Sequence, residues 1–143
     1  MRRTALIGFM LALSGVALAA CGGGSSAGGD PQALVGTSYI VTEITVDGAT
    51  REVIDPVEIT FDADTVSVAT PCNGMSGPVA YSDSTLTVGA LASTRMGCEP
   101  ALMEQDQVIA DALAANPNWQ LSSGVLTLTG GGTVIVGDSS AAG

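Results

Sequence analysis

From Thr37 onward the chain is written in short runs that alternate apolar and polar side chains, interrupted by a single stretch of longer period. A period of two puts successive side chains on opposite faces of a strand, so each such run can bury one face only. Val57-Glu58-Ile59-Thr60-Phe61 alternates cleanly, and Thr65-Val66-Ser67-Val68-Ala69 does so again after the turn Asp62-Ala63-Asp64, which predicts a hairpin. Thr37 to Val46 reads as a longer strand with Ile40, Thr42, Ile44 and Val46 on one side, ended by the turn signal Asp47-Gly48. Pro71 ends the strand from Thr65. Pro78 to Tyr81 and Thr85 to Val88 pair around Ser82-Asp83, with Asn73-Gly74 and Ser76-Gly77-Pro78 read as loop. Glu99-Pro100 then opens a helix. Leu102, Met103, Ile109 and Leu113 form its apolar stripe, Gln105 and Asp106 lie opposite, and Asn116-Pro117 stops it. Asn118 to Ser122, Val125 to Thr129 and Thr133 to Val136 complete the strands, and the residues after Gly137 read as a frayed tail. One-faced antiparallel strands must curl or be covered. The expected class is α+β, mostly antiparallel β: a strongly curved sheet or small open barrel with one helix.

The N-terminus carries an address. Arg2 and Arg3 precede an uncharged apolar segment, Ala5 to Ala20, too short in its apolar core for a membrane span of about 20 residues. It ends in Leu18-Ala19-Ala20-Cys21, which resembles the lipobox of bacterial lipoproteins. That resemblance implies cleavage before Cys21 and a diacylglycerol thioether on it. Gly22 to Gly29 is flexible in composition, as a tether requires. The expected organisation is a lipoprotein signal peptide over 1–20, lipidated Cys21 and linker over 21–33, one domain over 34–137, and a tail over 138–143. The expected location is the cell envelope, outside the cytoplasm, on the outer face of the cytoplasmic membrane if the source has a single membrane.

Charge narrows the partners. The full chain has a formal charge of −10, with four basic and fourteen acidic residues. Removing Arg2 and Arg3 leaves two against fourteen, or −12, with Arg51 and Arg95 the only basic residues and no Lys or His. Nucleic-acid binding draws its affinity from basic side chains on phosphate and is excluded on this count. Electrostatic docking on anionic lipid is disfavoured too, so the membrane contact rests on the acyl anchor.

The internal signature is Pro71-Cys72-Asn73-Gly74-Met75-Ser76-Gly77, then Leu86-Thr87-Val88-Gly89, then Leu91-Ala92-Ser93-Thr94-Arg95-Met96-Gly97-Cys98. An acidic helix, Trp119-Gln120-Leu121 and Val125-Leu126-Thr127-Leu128 follow. This order, with Gly36-Thr37-Ser38-Tyr39 before it, resembles the META domain of the HslJ-like envelope proteins over about Leu34 to Val136. The chain departs from the pattern at Gly74-Met75, where members often carry a basic or aromatic pair. The resemblance implies a curved antiparallel barrel with one helix, similar in fold to a secretin pilotin, a link to stress tolerance, and no established catalytic site.

Cys72 and Cys98 stand in the two most specific pieces of that pattern. An exported compartment favours a disulfide between them. Free thiols or a metal pair are the alternatives, and a metal site would call for His or further Cys. Asn73 and Gly74 are turn residues that can also offer backbone N–H groups to a ligand. Arg95 either ties the fold through Glu99, Glu104 or the carboxylates of the sheet, or receives an anion. Asp62-Ala63-Asp64 lacks the ligand series of a calcium loop. Without His, an activated Ser or Cys has no evident base, so no catalytic residue, metal or cofactor is expected. The leading expectation is a non-enzymatic, lipid-anchored envelope protein that binds a protein partner or an apolar ligand or supports stress tolerance. A pilotin-like chaperone of a secreted or membrane partner comes next, and a carboxylate-dependent envelope hydrolase last.

Overall fold

The computed structural model describes residues 29–54 and 56–140. The signal peptide assigned to 1–20, Cys21, linker residues 22–28 and tail residues 141–143 lie outside the described residues.

Strand β1 (Thr37–Val46) is the long spine of the sheet. The turn Asp47-Gly48 takes positive φ at both residues (50° and 81°), the primed geometry whose twist suits a two-residue hairpin. It leads into β2 (Ala49–Arg51), a short strand outside the sequence reading. Strands β3 (Glu58–Phe61) and β4 (Thr65–Ala69) form the expected hairpin, with Val57, Ile59, Phe61, Val66 and Val68 all buried. Next come β5 (Gly74–Tyr81), β6 (Leu86–Val88), β7 (Ala92–Ser93), the helix α1 (Pro100–Ala114), and the meander β8 (Asn118–Ser122), β9 (Val125–Gly130) and β10 (Thr133–Ser139).

The strand order is β6-β5-β4-β3-β1-β10-β9-β8, every pairing antiparallel, with β2 added to β1 and β7 to β5. The two ends of this order meet. Thr85 bridges Asn118, the Leu86 amide donates to the Pro117 carbonyl (2.9 Å), and the Trp119 amide donates to the Ser84 carbonyl (2.9 Å). The sheet is therefore a nearly closed barrel, which removes most of the exposed edge a flat sheet would present. Trp119, fully buried at the seam, donates its indole N–H to the Ser82 carbonyl (2.8 Å). Helix α1 packs on β9 and β10 so closely that a Cβ on Gly130 would come within 2.8 Å of the Ala112 carbonyl oxygen.

Five expectations are corrected. Along β1 the buried residues are Tyr39, Val41 and Ile44; Thr42 is exposed and Ile40 half-buried. A β-bulge between Val41 and Glu43 leaves Thr42 as an extra residue and reverses the alternation there. Gly74, Ser76 and Gly77 are strand residues ahead of the expected start at Pro78, because β5 starts at Gly74 and pairs with β4 from there. On α1 the buried face is Gln105, Asp106, Ile109, Ala112 and Leu113, whereas Met103 is 49% exposed. The chain is ordered before Leu34: Asp30 caps a short 3-10 turn (Pro31–Ala33), its carboxylate accepting from the Gln32 amide. It also stays in the sheet beyond Gly137, since Asp138 and Ser139 pair with Ile40 and Tyr39.

Candidate binding cleft

The sharp turn between β4 and β5 is set by Thr70. Its hydroxyl accepts from the amides of Cys72 and Asn73 and donates to the Asn73 carbonyl, folding Pro71-Cys72 back on itself. That turn presents Cys72, which is disulfide-bonded to Cys98 (S–S 2.05 Å, Cα–Cα 6.0 Å). A bridge spanning 26 residues stabilises by about 3.5 kcal/mol on the chain-entropy model. It fixes the connection from β7 to α1 against the start of β5.

Asn73 holds the same junction through its side chain. The amide oxygen accepts from the Met96 backbone N–H (2.9 Å) and the Thr94 hydroxyl (3.0 Å). The amide nitrogen donates to Asp106 Oδ2 (2.9 Å) and to Cys72 Sγ (3.1 Å). A backbone N–H can only donate and a carboxylate oxygen here accepts, so these partners fix which way the amide points. The Gly74 amide donates to Thr94 Oγ1 and the Thr94 amide to the Gly74 carbonyl. Asn73 and Gly74 thus serve as a clamp on the 94–97 segment. The backbone amides of both residues are bonded within the fold, to the Thr70 and Thr94 hydroxyls.

Held this way, the 94–97 segment stands off from α1 and leaves a cleft of about 440 Å³. One wall carries Arg95 and Met96, the other Met103 and Gln107, and Met75 and Asp106 also line it. Met75 is 5% exposed and Asp106 8%, while Met96 is 62% exposed. Among the described residues the exposed large apolar side chains are Met96, Met103 and Val125, and two of these three share the cleft. Asp106 is anchored by Asn73 through one oxygen; the other, Oδ1, is buried without a hydrogen-bond partner. A buried polar atom left so is costly.

Neither acid expected to tie Arg95 does so. Glu104 pairs instead with Arg51, an exposed ion pair worth little on its own. Among the described residues Arg95 forms no ion pair, and its guanidinium makes no hydrogen bond. The neighbouring Gln105 closes the other side of the helix: it accepts from the Ile54 amide (2.8 Å) and donates to the Ile54 carbonyl (3.0 Å), as a paired strand would. Asp62-Ala63-Asp64 is the β3–β4 turn, and among the described residues no group of His, Cys, Asp and Glu is placed to hold a metal.

The family model for the META domain matches residues 32–141. The chain belongs to the META-domain family. Two solved structures are similar to this META domain. One is the NMR structure of a protein from Burkholderia xenovorans, with TM-score 0.65 and 25% identity over 78% of this chain and 86% of that one. The other is an NMR structure with TM-score 0.62 and 29% identity over 76% of this chain and 92% of that one. No curated protein matches the chain. The match begins before Leu34 and ends after Gly137, as the ordered turn at Pro31–Ala33 and the length of β10 do. Sequence reasoning reached Cys72, Cys98, Asn73 and Arg95 of this META domain. It missed the cleft residues Met75, Met96 and Asp106, which share no element; the available signal was that all three methionines beyond Met10 fall near the signature Cys-Asn and Thr-Arg segments.

Proposed function

We propose that this META-domain protein is a non-enzymatic, lipid-anchored binding protein of the cell envelope. Its working site is the cleft between the 94–97 segment and α1, and its occupant is an apolar ligand or an apolar segment of a partner protein. The carrying observation is the convergence on that cleft of two exposed methionines and an arginine without a carboxylate partner. Methionine is unbranched and polarizable, and surfaces built from it adapt to different apolar shapes. Concave, mainly apolar sites of a few hundred Å³ with a few polar groups are the usual form of a ligand pocket. The Leu-Ala-Ala-Cys21 boundary supports the anchor, and the absence of His from the chain supports a binding role over acid–base chemistry.

The test is photo-cross-linking in cells that express the full chain. A photoreactive residue placed at Met103 is expected to capture a defined adduct, lipid or protein, resolved by mass spectrometry. The same residue at Gln120, exposed on β8, is expected to capture none. Equal capture at both positions, or none at Met103, contradicts the reading. In the same cells Cys21→Ser should release the protein from the membrane fraction.

A further inference from the structure

We propose that the same cleft binds a soft monovalent metal ion, copper(I) or silver(I), through the thioethers of Met75, Met96 and Met103. The inference goes beyond the reading of an organic or protein occupant and does not depend on it.

All three methionines of the described residues line this one cleft. They come from different places: Met75 from β5, Met96 from the segment before α1, Met103 from the first turns of α1. Had they served only as core filling, burial would be expected of each. Met75 is indeed buried, but Met96 and Met103 are 62% and 49% exposed. Three rotatable bonds per side chain let the two exposed thioethers converge on the buried one. Thioethers are soft, neutral ligands that select copper(I)-like ions over zinc or calcium. Competing ligands in the domain are scarce: the chain has no His to offer an imidazole, and both cysteines of the domain are consumed in the disulfide, which leaves no thiolate there.

Asp106 supplies the second, independent observation. It lines the same cleft, is more than nine-tenths buried, and keeps one carboxylate oxygen without a partner. Three neutral thioethers leave a bound cation's charge intact. The uncompensated carboxylate beside them offsets that charge without having to be a ligand. Arg95 opposes a cation, but its side chain is exposed and screened by water, and it can turn outward. Binding involves no change of oxidation state and displaces no proton, since a thioether carries none.

The experiment is titration of the purified full chain carrying Cys21→Ser, which removes the one thiol outside the disulfide, with silver(I) in chloride-free buffer, followed by metal analysis after desalting. Carbon-13-labelled methionine methyl signals are read alongside. The expected result is one silver ion per chain, shifts of the Met75, Met96 and Met103 methyls, and no stoichiometric uptake of zinc(II) or calcium(II). Met96→Leu and Met103→Leu conserve volume, so each should leave folding intact while weakening silver binding at least tenfold, and the pair should abolish it. Asp106→Asn should weaken it several-fold, with circular dichroism confirming the fold. Substoichiometric uptake, or affinity unchanged in the double leucine variant, overturns the proposal. Because the double variant still presents an apolar cleft, loss of silver binding with cross-linking retained separates this inference from the proposed function.

Discussion

Asn73 uses both donors and both acceptor positions of its amide, and its four partners belong to three separate pieces of chain. A residue so placed is a junction, and its loss strands the Met96 amide and Asp106 Oδ2 at once. Asn73→Ala is expected to cost about 2–3 kcal/mol, read from denaturant unfolding, because one of the lost bonds is to a carboxylate. An unchanged midpoint would contradict the clamp. The two tyrosines offer a second test. Burial pushes the Tyr81 hydroxyl up to about 12, with Asp62 and Asp64 nearby adding to the rise, and burial also raises Tyr39 against an opposing hydrogen bond from Thr37. Both protons are held more tightly in the folded state than in the unfolded chain, where tyrosine titrates near pH ~10. Their contribution is fully present below about pH 10; that of Tyr81 is lost as the pH rises through about 12, and that of Tyr39 is likewise lost above the ordinary tyrosine range. Tyrosinate absorbance of the native protein should therefore stay flat through pH ~10 and rise only well above it; a midpoint at 10 would contradict the burial. Asn73 and Gly74 stood out in the sequence as turn residues, but the clamp did not. Its partners lie 20 to 33 residues away, and no local period reports a side chain's distant bonds.

At the scale of elements, periodicity was a good guide wherever one face met one core. The β3–β4 hairpin, the helix bounds and the closing meander all follow from local pattern and turn chemistry. It failed in two places for identifiable reasons. In β1 the extra residue Thr42 reverses the inward face midway, so a strict period of two assigns Ile40 and Thr42 wrongly. In α1 the apolar stripe misleads because Gln105 and Asp106 are buried polar residues, Gln105 bonded to Ile54 through both ends of its amide and Asp106 to Asn73 through one carboxylate oxygen. Gln105 stands in for a strand, closing the backbone of Ile54 from both sides. Gln105→Met keeps the volume and removes both bonds, leaving a half-buried peptide group unpaired. The expected loss is about 2 kcal/mol, with faster amide exchange at Ile54. Exchange at Ile54 as slow as in the parent would contradict this role for the helix.

The described residues form a nearly closed barrel with its seam at Thr85–Asn118, braced at one side by the disulfide, and their exposed large apolar side chains gather mainly where that brace meets the helix. Fold class was legible because strand alternation and turns are local, and the family because its signature segments are contiguous. The cleft was not, because it exists only once β5, the 94–97 segment and α1 are brought together. The formal charge of −10 makes Arg95 stand out further, as one of two basic residues among those described and the one outside an ion pair. If the cleft is the working site, it is occupied where the protein works. Hydroxyl-radical footprinting of intact cells against the purified full chain tests this directly, with Val125, among the described residues the exposed large apolar side chain outside the cleft, as internal reference. Met96 and Met103 are expected to oxidise several-fold more slowly relative to Val125 in cells than in the purified protein. Equal relative rates in the two settings would contradict the assignment of the cleft as the binding site.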